Sequence, residues 1–348
     1  MSTAHNESAP KQAVPHNPVR PEWLALREEP ALEPGLPIVD AHHHLWEFPH
    51  KSYRTHDLLA DIASGHDIRA TVFVECKTHY DADAPAELAS AGELRFALAE
   101  SLDGQRRGAK TRVAAALVGN AELALGAEVG RVLDHLIDVG QGRLRGIRNI
   151  AVWHAQVRAS AATPPAHLLL DATFRAGVAQ LEPRGLSFDA WAIHTQLPEL
   201  SDLAAALPQT RIVLNHVGGP LGLGPYRGHR DDVFAAWRRD VAELARRPNV
   251  FVKLGGFGMP LFGFDFERDA VPPDSASIAE KLRPYVETCI DVFSASRCMF
   301  ESNFPVDKGS FGYGVMWNAY KRLAAGASDA EKRALFHDTA AHFYRLES

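Results

Sequence analysis

The feature that most constrains the fold is a regular alternation of short apolar runs with longer amphipathic stretches from residue 37 onward. Eight runs have the length and apolar content of buried strands, at 38–41, 70–76, 113–118, 144–147, 187–193, 212–215, 250–253 and 298–301. Helix-period segments lie between them at 85–101, 121–139, 167–183, 197–207, 231–247 and 278–294. Eight strands followed by helical segments predict an α/β fold, the (β/α)8 TIM barrel, rather than an open doubly wound sheet.

Two sequence signals refine this interpretation. Ser277 with Glu280 and Ser328 with Glu331 have the spacing of capping boxes, which predicts a helix start at each serine. No GxGxxG motif opens a helix after the first strand, so a dinucleotide-binding fold is disfavoured.

The first 36 residues differ from the rest because they combine polar residues with six prolines. Such a composition cannot build a packed core, so residues 1–36 are expected to be disordered or to form an extended arm, with disorder from residue 1 to about 20. Trp23 and Leu24 could anchor the remainder across the body or across a neighbouring subunit of a homodimer. Residues 37–348 are expected to form one barrel domain.

Composition excludes several classes of partner. The chain has 348 residues, 46 % of them hydrophobic, and a formal net charge of −6, so it has no basic stripe for nucleic acid or an anionic membrane. It shows neither the layout of a secretory signal nor a run of about 18 apolar residues. We therefore expect a cytoplasmic enzyme with a small-molecule substrate. Cys76, Cys289 and Cys298 are too widely spaced for a thiolate metal site.

A histidine triplet follows the first predicted strand. Because side chains alternate along an extended chain, His42 and His44 face the same way and His43 faces the other way. Two converging imidazoles suit a divalent metal or a polarised carbonyl.

Polar side chains also stand near the ends of most of the other predicted strands: Glu75, Arg145, Arg148, His194, Gln196, Asn215, His216, Lys253, Glu301 and Asn303. In a (β/α)8 barrel these ends surround the active site, so their clustering there is a functional signal. Structural roles remain open for individual members. Glu75 could pair with an arginine, Lys253 could neutralise Glu75 or Glu301, and His216 could be a core histidine. One of the two arginines is suited to gripping a substrate carboxylate.

Four motifs in order resemble the amidohydrolase superfamily, and within it the amidohydrolase-2 group of lactonases and aromatic carboxy-lyases: DAHHHLW at 40–46, RGIR at 145–148, NHVG at 215–218 and FESNFP at 300–305. The resemblance implies a barrel in which His42, His44, His194 and His216 are metal ligands and catalytic groups. Zinc or manganese would activate water in such a site. Some lactonases of the group act without metal, so a metal-independent mechanism stays open.

The sequence departs from the family pattern at Asn303, where the family has an aspartate. An amide cannot accept a proton. We expect Glu301 or Glu75 to supply the missing acid, and Asn303 to orient water or substrate.

The predicted substrate site combines Arg145, Arg148, Trp46, Tyr53 and Gln196. A long Gly- and Phe-rich connection at 254–275 is expected to cover it. These features favour a hydrolase that opens a lactone or related cyclic ester of an anionic molecule. The alternatives are a metal-dependent non-oxidative decarboxylase of an aromatic or unsaturated acid, and a ligand-binding barrel with impaired catalysis.

Overall fold

Eight parallel strands form a nearly closed barrel in the computed structural model, which describes residues 16–158 and 162–346. In chain order the strands are β1 (Pro37–His43), β2 (Trp46–Phe48), β3 (Lys51–Tyr53), β4 (Asp67–Val74), β5 (Arg112–Gly119), β6 (Leu144–Ile150), β7 (Ser187–Trp191), β8 (Ile212–Leu214), β9 (Val250–Leu254) and β10 (Cys298–Phe300). All except β2 and β3, which pair as an antiparallel hairpin, belong to the barrel. The eight predicted strands and the barrel are confirmed.

The barrel closes between its first and last strands just beyond β10. The Asn303 amide donates to the carbonyl of His42 (2.8 Å), and the His44 amide donates to the carbonyl of Phe304 (2.8 Å). These bonds hold the histidine triplet against the 301–304 segment. Residues far apart in sequence are thereby fixed at the same end of the barrel.

Helices surround the sheet. They are α1 (Pro21–Leu24), α2 (Thr55–Ile62), α3 (Ala91–Arg106), α4 (Val129–Val139), α5 (Ala172–Val178), α6 (Leu197–Ala206), α7 (Arg230–Ala245), α8 (Ser275–Phe293), α9 (Tyr313–Leu323), α10 (Asp329–Arg333) and α11 (Thr339–Phe343). A π-helical turn at Ala334–Asp338 joins the last two. Among the described residues, no helix is both long and apolar enough to cross a bilayer.

The two predicted helix starts have different outcomes. Ser328 caps α10 together with Glu331, as expected. Ser277 does not cap α8, because Asp274 accepts a hydrogen bond from the Ser277 amide (2.8 Å) and the helix already begins at Ser275. An aspartate three residues upstream is an equally good cap, and it stands first in the chain.

The described part of the N-terminal segment, residues 16–36, is an arm that contains α1 and packs along the barrel. Glu29 accepts from the Ser275 amide (2.8 Å), and the Lys321 ammonium donates to the carbonyls of Leu32 (2.7 Å) and Glu33 (2.9 Å). Disorder was expected from residue 1 to about 20. Residues 1–15 lie outside the described residues, and residues 16–20 differ from that expectation because Asn17 and Arg20 form hydrogen bonds to the barrel loops. The extended-arm interpretation agrees with the described part.

Candidate active site

The centre of the site is a buried carboxylate between two imidazoles. Glu301, which follows β10, accepts from His216 Nδ1 (2.6 Å), and its other oxygen lies 3.0 Å from His42 Nδ1 without hydrogen-bond geometry. All three side chains are buried. Burial raises the pKa of Glu301 to about 8, although the charge of Lys253 opposes that rise. Glu301 therefore fixes the orientation of His216 and lies close to His42.

The backbone around this carboxylate is shaped to let it approach His216. His216 adopts a left-handed conformation with φ of +54°, which is uncommon for a residue other than glycine. A Cβ on Gly255 would lie 2.3 Å from Glu301 Cγ, and a Cβ on Gly256 would lie 2.5 Å from His216 Nδ1. The paired glycines after β9 thus leave room for the His216–Glu301 contact.

His44 has a defined tautomer. Its Nδ1 lies 2.8 Å from the carbonyl oxygen of Val74, which can only accept, so Nδ1 carries the hydrogen and Nε2 carries the lone pair. That lone pair accepts a hydrogen bond from His42 Nε2 (3.2 Å). Burial, with help from nearby cations, holds the pKa values of His42, His44 and His216 well below the ordinary histidine value. All three imidazoles are neutral near pH 7.

Two buried ion pairs flank His42. We call Arg148 and Glu75 the cavity pair: Arg148 Nε donates to Glu75 (2.7 Å), and its Nη1 lies 3.5 Å from His42 Nε2. We call Lys253 and Asp189 the interior pair: the ammonium donates to Asp189 (2.9 Å) and lies 3.3 Å from His42 Nδ1. Both imidazole nitrogens therefore face a cation that has its own carboxylate.

The donors present fit one divalent ion. His42, His216 and Glu301 offer ligand atoms that all lie within 4.8 Å of one another, and Glu301 Oε2 has no hydrogen-bond partner among the described residues. Neutral imidazoles and a carboxylate are the ligand set that zinc prefers. The positive charges of Arg148 and Lys253 disfavour a metal cation next to His42, but each charge is neutralised by its own carboxylate. The histidine and glutamate cluster is therefore a candidate metal centre.

A cavity of about 1050 Å³ opens beside this cluster at the carboxyl ends of the strands. Seven predicted site residues line it: His44, Trp46, Tyr53, Glu75, Arg148, His216 and Asn303. Met259, Pro260 and Leu261 also line it, so the long connection after β9 reaches the cavity as expected. Glu75 Oε2 is buried in this wall without a hydrogen-bond partner among the described residues.

Three predicted residues lie elsewhere. Arg145 Nε donates to the carbonyl of Tyr344 (3.0 Å), and Gln196 Nε2 donates to the carbonyl of Ala151 (2.8 Å). His194 packs edge-on against Tyr226 (5.0 Å between ring centres), and its Nδ1 accepts from the Leu221 amide. None of the three lines the cavity or belongs to the metal-binding cluster. His194 lies in a 3-10 turn three residues past the end of β7, which carries it away from the barrel axis.

Asn303 lines the cavity but has a local partner. Its amide Nδ2 donates to Asp307 (2.8 Å), and the other oxygen of Asp307 accepts from the Gly258 amide (2.9 Å). Burial raises the pKa of Asp307 well above its ordinary value. Asn303 therefore links the closing segment of the barrel to the long connection after β9.

Two important features were not found from the sequence. Lys253 forms its direct ion pair with Asp189, which was not among its expected partners, while its charge also acts on Glu301 as expected. The sequence does contain a signal for this partner, because Asp189 is a lone aspartate within the mostly apolar strand β7. His16 of the arm also lines the cavity, which no local pattern indicates.

Comparisons with known proteins agree with this geometry. The model of the amidohydrolase family matches residues 39–346. An uncharacterised protein of Sinorhizobium fredii, y4mH, is 31 % identical over 333 residues, which cover 89 % of this chain and 99 % of that protein. L-fucono-1,5-lactonase of Burkholderia multivorans is 29 % identical over 322 residues, which cover 90 % of this chain and 97 % of the lactonase.

A solved structure also resembles this chain over most of its length. A crystal structure of an amidohydrolase from Burkholderia multivorans with bound zinc superposes with a TM-score of 0.68 at 26 % identity. The match covers 89 % of this chain and 99 % of that one.

Proposed function

Because the chain belongs to the amidohydrolase family, we propose that it hydrolyses a lactone or related cyclic ester of an anionic small molecule. The observation that carries this proposal is the cavity wall, where neutral imidazoles of His44 and His216 stand beside the Arg148 guanidinium. A neutral imidazole can take a proton from water, and a guanidinium can hold a carboxylate or a developing oxyanion. The similarity to a lactonase over nearly its whole length supports the reaction class.

We propose one divalent ion, zinc or manganese, as the cofactor, held by His42, His216 and Glu301. When bound, such an ion lowers the pKa of water and polarises a carbonyl. The similar amidohydrolase solved with zinc supports this choice. Cytoplasmic location and a homodimer remain predictions from the sequence.

The chain's own residues supply the remaining steps. His44 Nε2 accepts the proton of the attacking water, because Val74 fixes the hydrogen on Nδ1. The proton then returns to the ring oxygen as the ester C–O bond breaks. Arg148, held in place by Glu75, binds the anionic part of the substrate. Asn303 lies at the cavity wall, where its amide orients water or substrate.

The test measures ring opening of sugar lactones by release of acid, with a carboxylate-bearing lactone tested beside the neutral L-fucono-1,5-lactone. His44→Gln should lower kcat by roughly 10² to 10⁴, the usual contribution of a general base. His66→Gln is the matched control, because His66 is a similarly buried histidine outside the cavity wall. It should stay within about threefold of the parent.

Metal analysis of untagged protein completes this test. About one equivalent of zinc or manganese, with loss of activity on chelation, supports the cofactor proposal. Retained activity in metal-free protein would overturn it and leave the lactonase proposal intact. Carbon dioxide release from hydroxylated aromatic acids, with no lactone turnover, would instead show that the decarboxylase alternative is right.

A further inference from the structure

The N-terminal arm forms part of the wall of the catalytic cavity. Arm residues His16, Asn17, Pro18, Val19 and Pro21 line the cavity together with residues of the barrel loops. The arm is therefore more than a strap along the outside of the barrel. It is placed where it can contact whatever the cavity binds.

The arm is held in this position by specific contacts. Asn17 Nδ2 donates to Ser310 Oγ (2.9 Å), and a Cβ on Gly309 would lie 2.4 Å from the Asn17 carbonyl oxygen, so the two backbones touch. Trp23 Nε1 donates to the carbonyl of Asp269 (3.0 Å), and Arg20 donates to the carbonyl of Glu267. Arm and β9–α8 connection therefore form one continuous wall.

At the outer end of the cavity, the arm meets an aromatic ring and a cation. The His16 ring stacks on Trp46, with 6.0 Å between ring centres and 23° between planes. Lys51 Nζ lies 4.7 Å from the centre of the Trp46 ring. We call His16, Trp46 and Lys51 the outer subsite. Trp46 in turn stacks on His44 (6.1 Å), so one indole ring separates the outer subsite from the catalytic histidines.

The charge of the outer subsite is positive. Lys51 is exposed and forms no ion pair with any described residue, whereas Lys308, also in the cavity wall, is paired with Asp61 (2.7 Å). Partial enclosure of the His16 ring, followed by the charge of Lys51, lowers the pKa of His16 to about 4, so the ring is neutral at pH 7 although much of the residue is exposed. An unpaired ammonium beside flat neutral rings suits a flat anion, because such a ligand can stack and form an ion pair together.

The size of the cavity allows for such a group. Small-molecule sites usually measure roughly 300–1000 Å³, and this cavity of about 1050 Å³ stands at the top of that range. A sugar lactone beside His44 leaves room towards the arm.

We propose that the outer subsite binds a flat, carboxylate-bearing substituent of the substrate, remote from the ring that is opened, and that the arm thereby determines specificity. The turnover part of this inference rests on the proposed lactone hydrolysis, and the binding part does not. Lys51 supplies the charge, while the exposed His16 ring, which Trp46 supports from behind, supplies the stacking surface.

Binding is tested with benzoate as the probe, by calorimetric titration of the full chain. Lys51→Met should weaken benzoate binding about tenfold, and His16→Ala about threefold, the size expected for one partly exposed ion pair or one stacking contact. Lys281→Met is the matched control. Its ammonium lies 4.8 Å from the Phe266 ring centre, a similar cation–ring geometry outside the cavity wall. This control should bind benzoate as the parent does.

Turnover is tested with two δ-lactones that differ only in a carboxyphenyl substituent. Lys51→Met should raise KM about tenfold for the substituted lactone, with kcat unchanged, and should leave both constants of the unsubstituted lactone unchanged. An equal rise for both lactones would overturn the proposal, because it would indicate a general effect on the cavity.

The two proposals fail in distinguishable ways. If the parent opens neither lactone, the proposed function fails, while the benzoate titrations still decide the role of the outer subsite. If benzoate does not bind the parent, or binds Lys51→Met equally well, the outer subsite proposal is wrong whatever the lactone assays show.

Discussion

The cavity pair and the interior pair present similar charges to opposite nitrogens of one histidine, yet their surroundings differ. Arg148 and Glu75 both line the cavity, whereas Lys253 and Asp189 are completely buried and have no access to it. Asp189 also accepts from the Tyr344 hydroxyl (2.6 Å) and from Ser187 (3.1 Å). Glu75 keeps one oxygen without a partner among the described residues.

This difference shows that two similar ion pairs have different roles when only one of them can be reached from the cavity. A fully hydrogen-bonded pair that no ligand can reach acts on the barrel and on the orientation of His42. A pair with an unsatisfied oxygen in a cavity wall can still bind something else. We therefore expect stability to depend mainly on the interior pair and substrate binding mainly on the cavity pair.

The largest expected effect is loss of stability on breaking the interior pair. Lys253→Met should lower the free energy of unfolding by about 3–5 kcal/mol, because it leaves Asp189 as an uncompensated buried charge. Urea unfolding of the folded variant measures this loss. Adding Asp189→Asn to Lys253→Met should restore most of it, since the buried charge is then removed.

A graded comparison checks the role of burial. Arg283→Met breaks the half-exposed pair with Glu287 and should cost only about 1 kcal/mol or less. A loss below about 1 kcal/mol for Lys253→Met as well would show that the interior pair contributes no more than a surface pair.

The next effect is on substrate binding. Arg148→Met should lower kcat/KM by about 10², since it removes a charged hydrogen-bond donor from the cavity wall. Steady-state kinetics on the lactone identified above give this ratio. Lys253→Met should cost less than tenfold in protein shown to be folded. If the two variants lose equal activity, access to the cavity does not distinguish the pairs.

A third difference is in pH dependence. Glu93 lies beside the cavity pair, and burial, followed by the charge of Glu75, raises the pKa of Glu93 to about 8. Between about pH 4.5 and 8 the folded protein then holds a proton that the unfolded chain releases, so stability falls as pH rises through this window. One such proton gives a slope of up to about 1.4 kcal/mol per pH unit.

Urea unfolding at several pH values between 5 and 8 measures that slope. Glu93→Gln should reduce it by the share of one proton, up to about 1.4 kcal/mol per pH unit, and leave the share of Glu301, whose pKa is also raised to about 8. The glutamine oxygen can still accept from the Cys76 and Thr78 amides while the titrating proton is lost. The exposed control Glu128→Gln should keep the slope. A slope that Glu93→Gln leaves unchanged would show that Glu93 does not contribute to the pH dependence.

The fold was predictable because its signal is local and repeated. Each barrel strand is a short apolar run, and the parity of β1 separates His43 from His42 and His44 without any tertiary information. His43 is indeed outside the candidate metal cluster. The positions of Glu75, Arg148 and His216 near the ends of predicted strands also predicted that these residues lie at one end of the barrel.

What could not be predicted depends on contacts between distant parts of the chain. Lys253 had several carboxylates available, and only the geometry of the closed barrel selects Asp189. His194 stands near a strand end in sequence, yet a 3-10 turn redirects it towards Tyr226. The contact between His16 and Trp46 spans a proline-rich segment whose composition indicates only the absence of a core.

The smallest expected effect concerns Asn303, where the family pattern has an aspartate. The cavity side already contains Glu75, and Glu301 already orients His216, so a further carboxylate has no unfilled role. Asn303→Asp should therefore change kcat/KM by less than about fivefold, while Glu301→Gln should lower it by roughly 10² because an amide then replaces the carboxyl group that orients His216 and belongs to the proposed metal centre. The Asp307 carboxyl, whose pKa burial raises, can donate its proton to the new carboxylate and preserve their contact. A large gain in activity for Asn303→Asp would instead show that the parent lacks a proton acceptor that neither Glu75 nor Glu301 replaces.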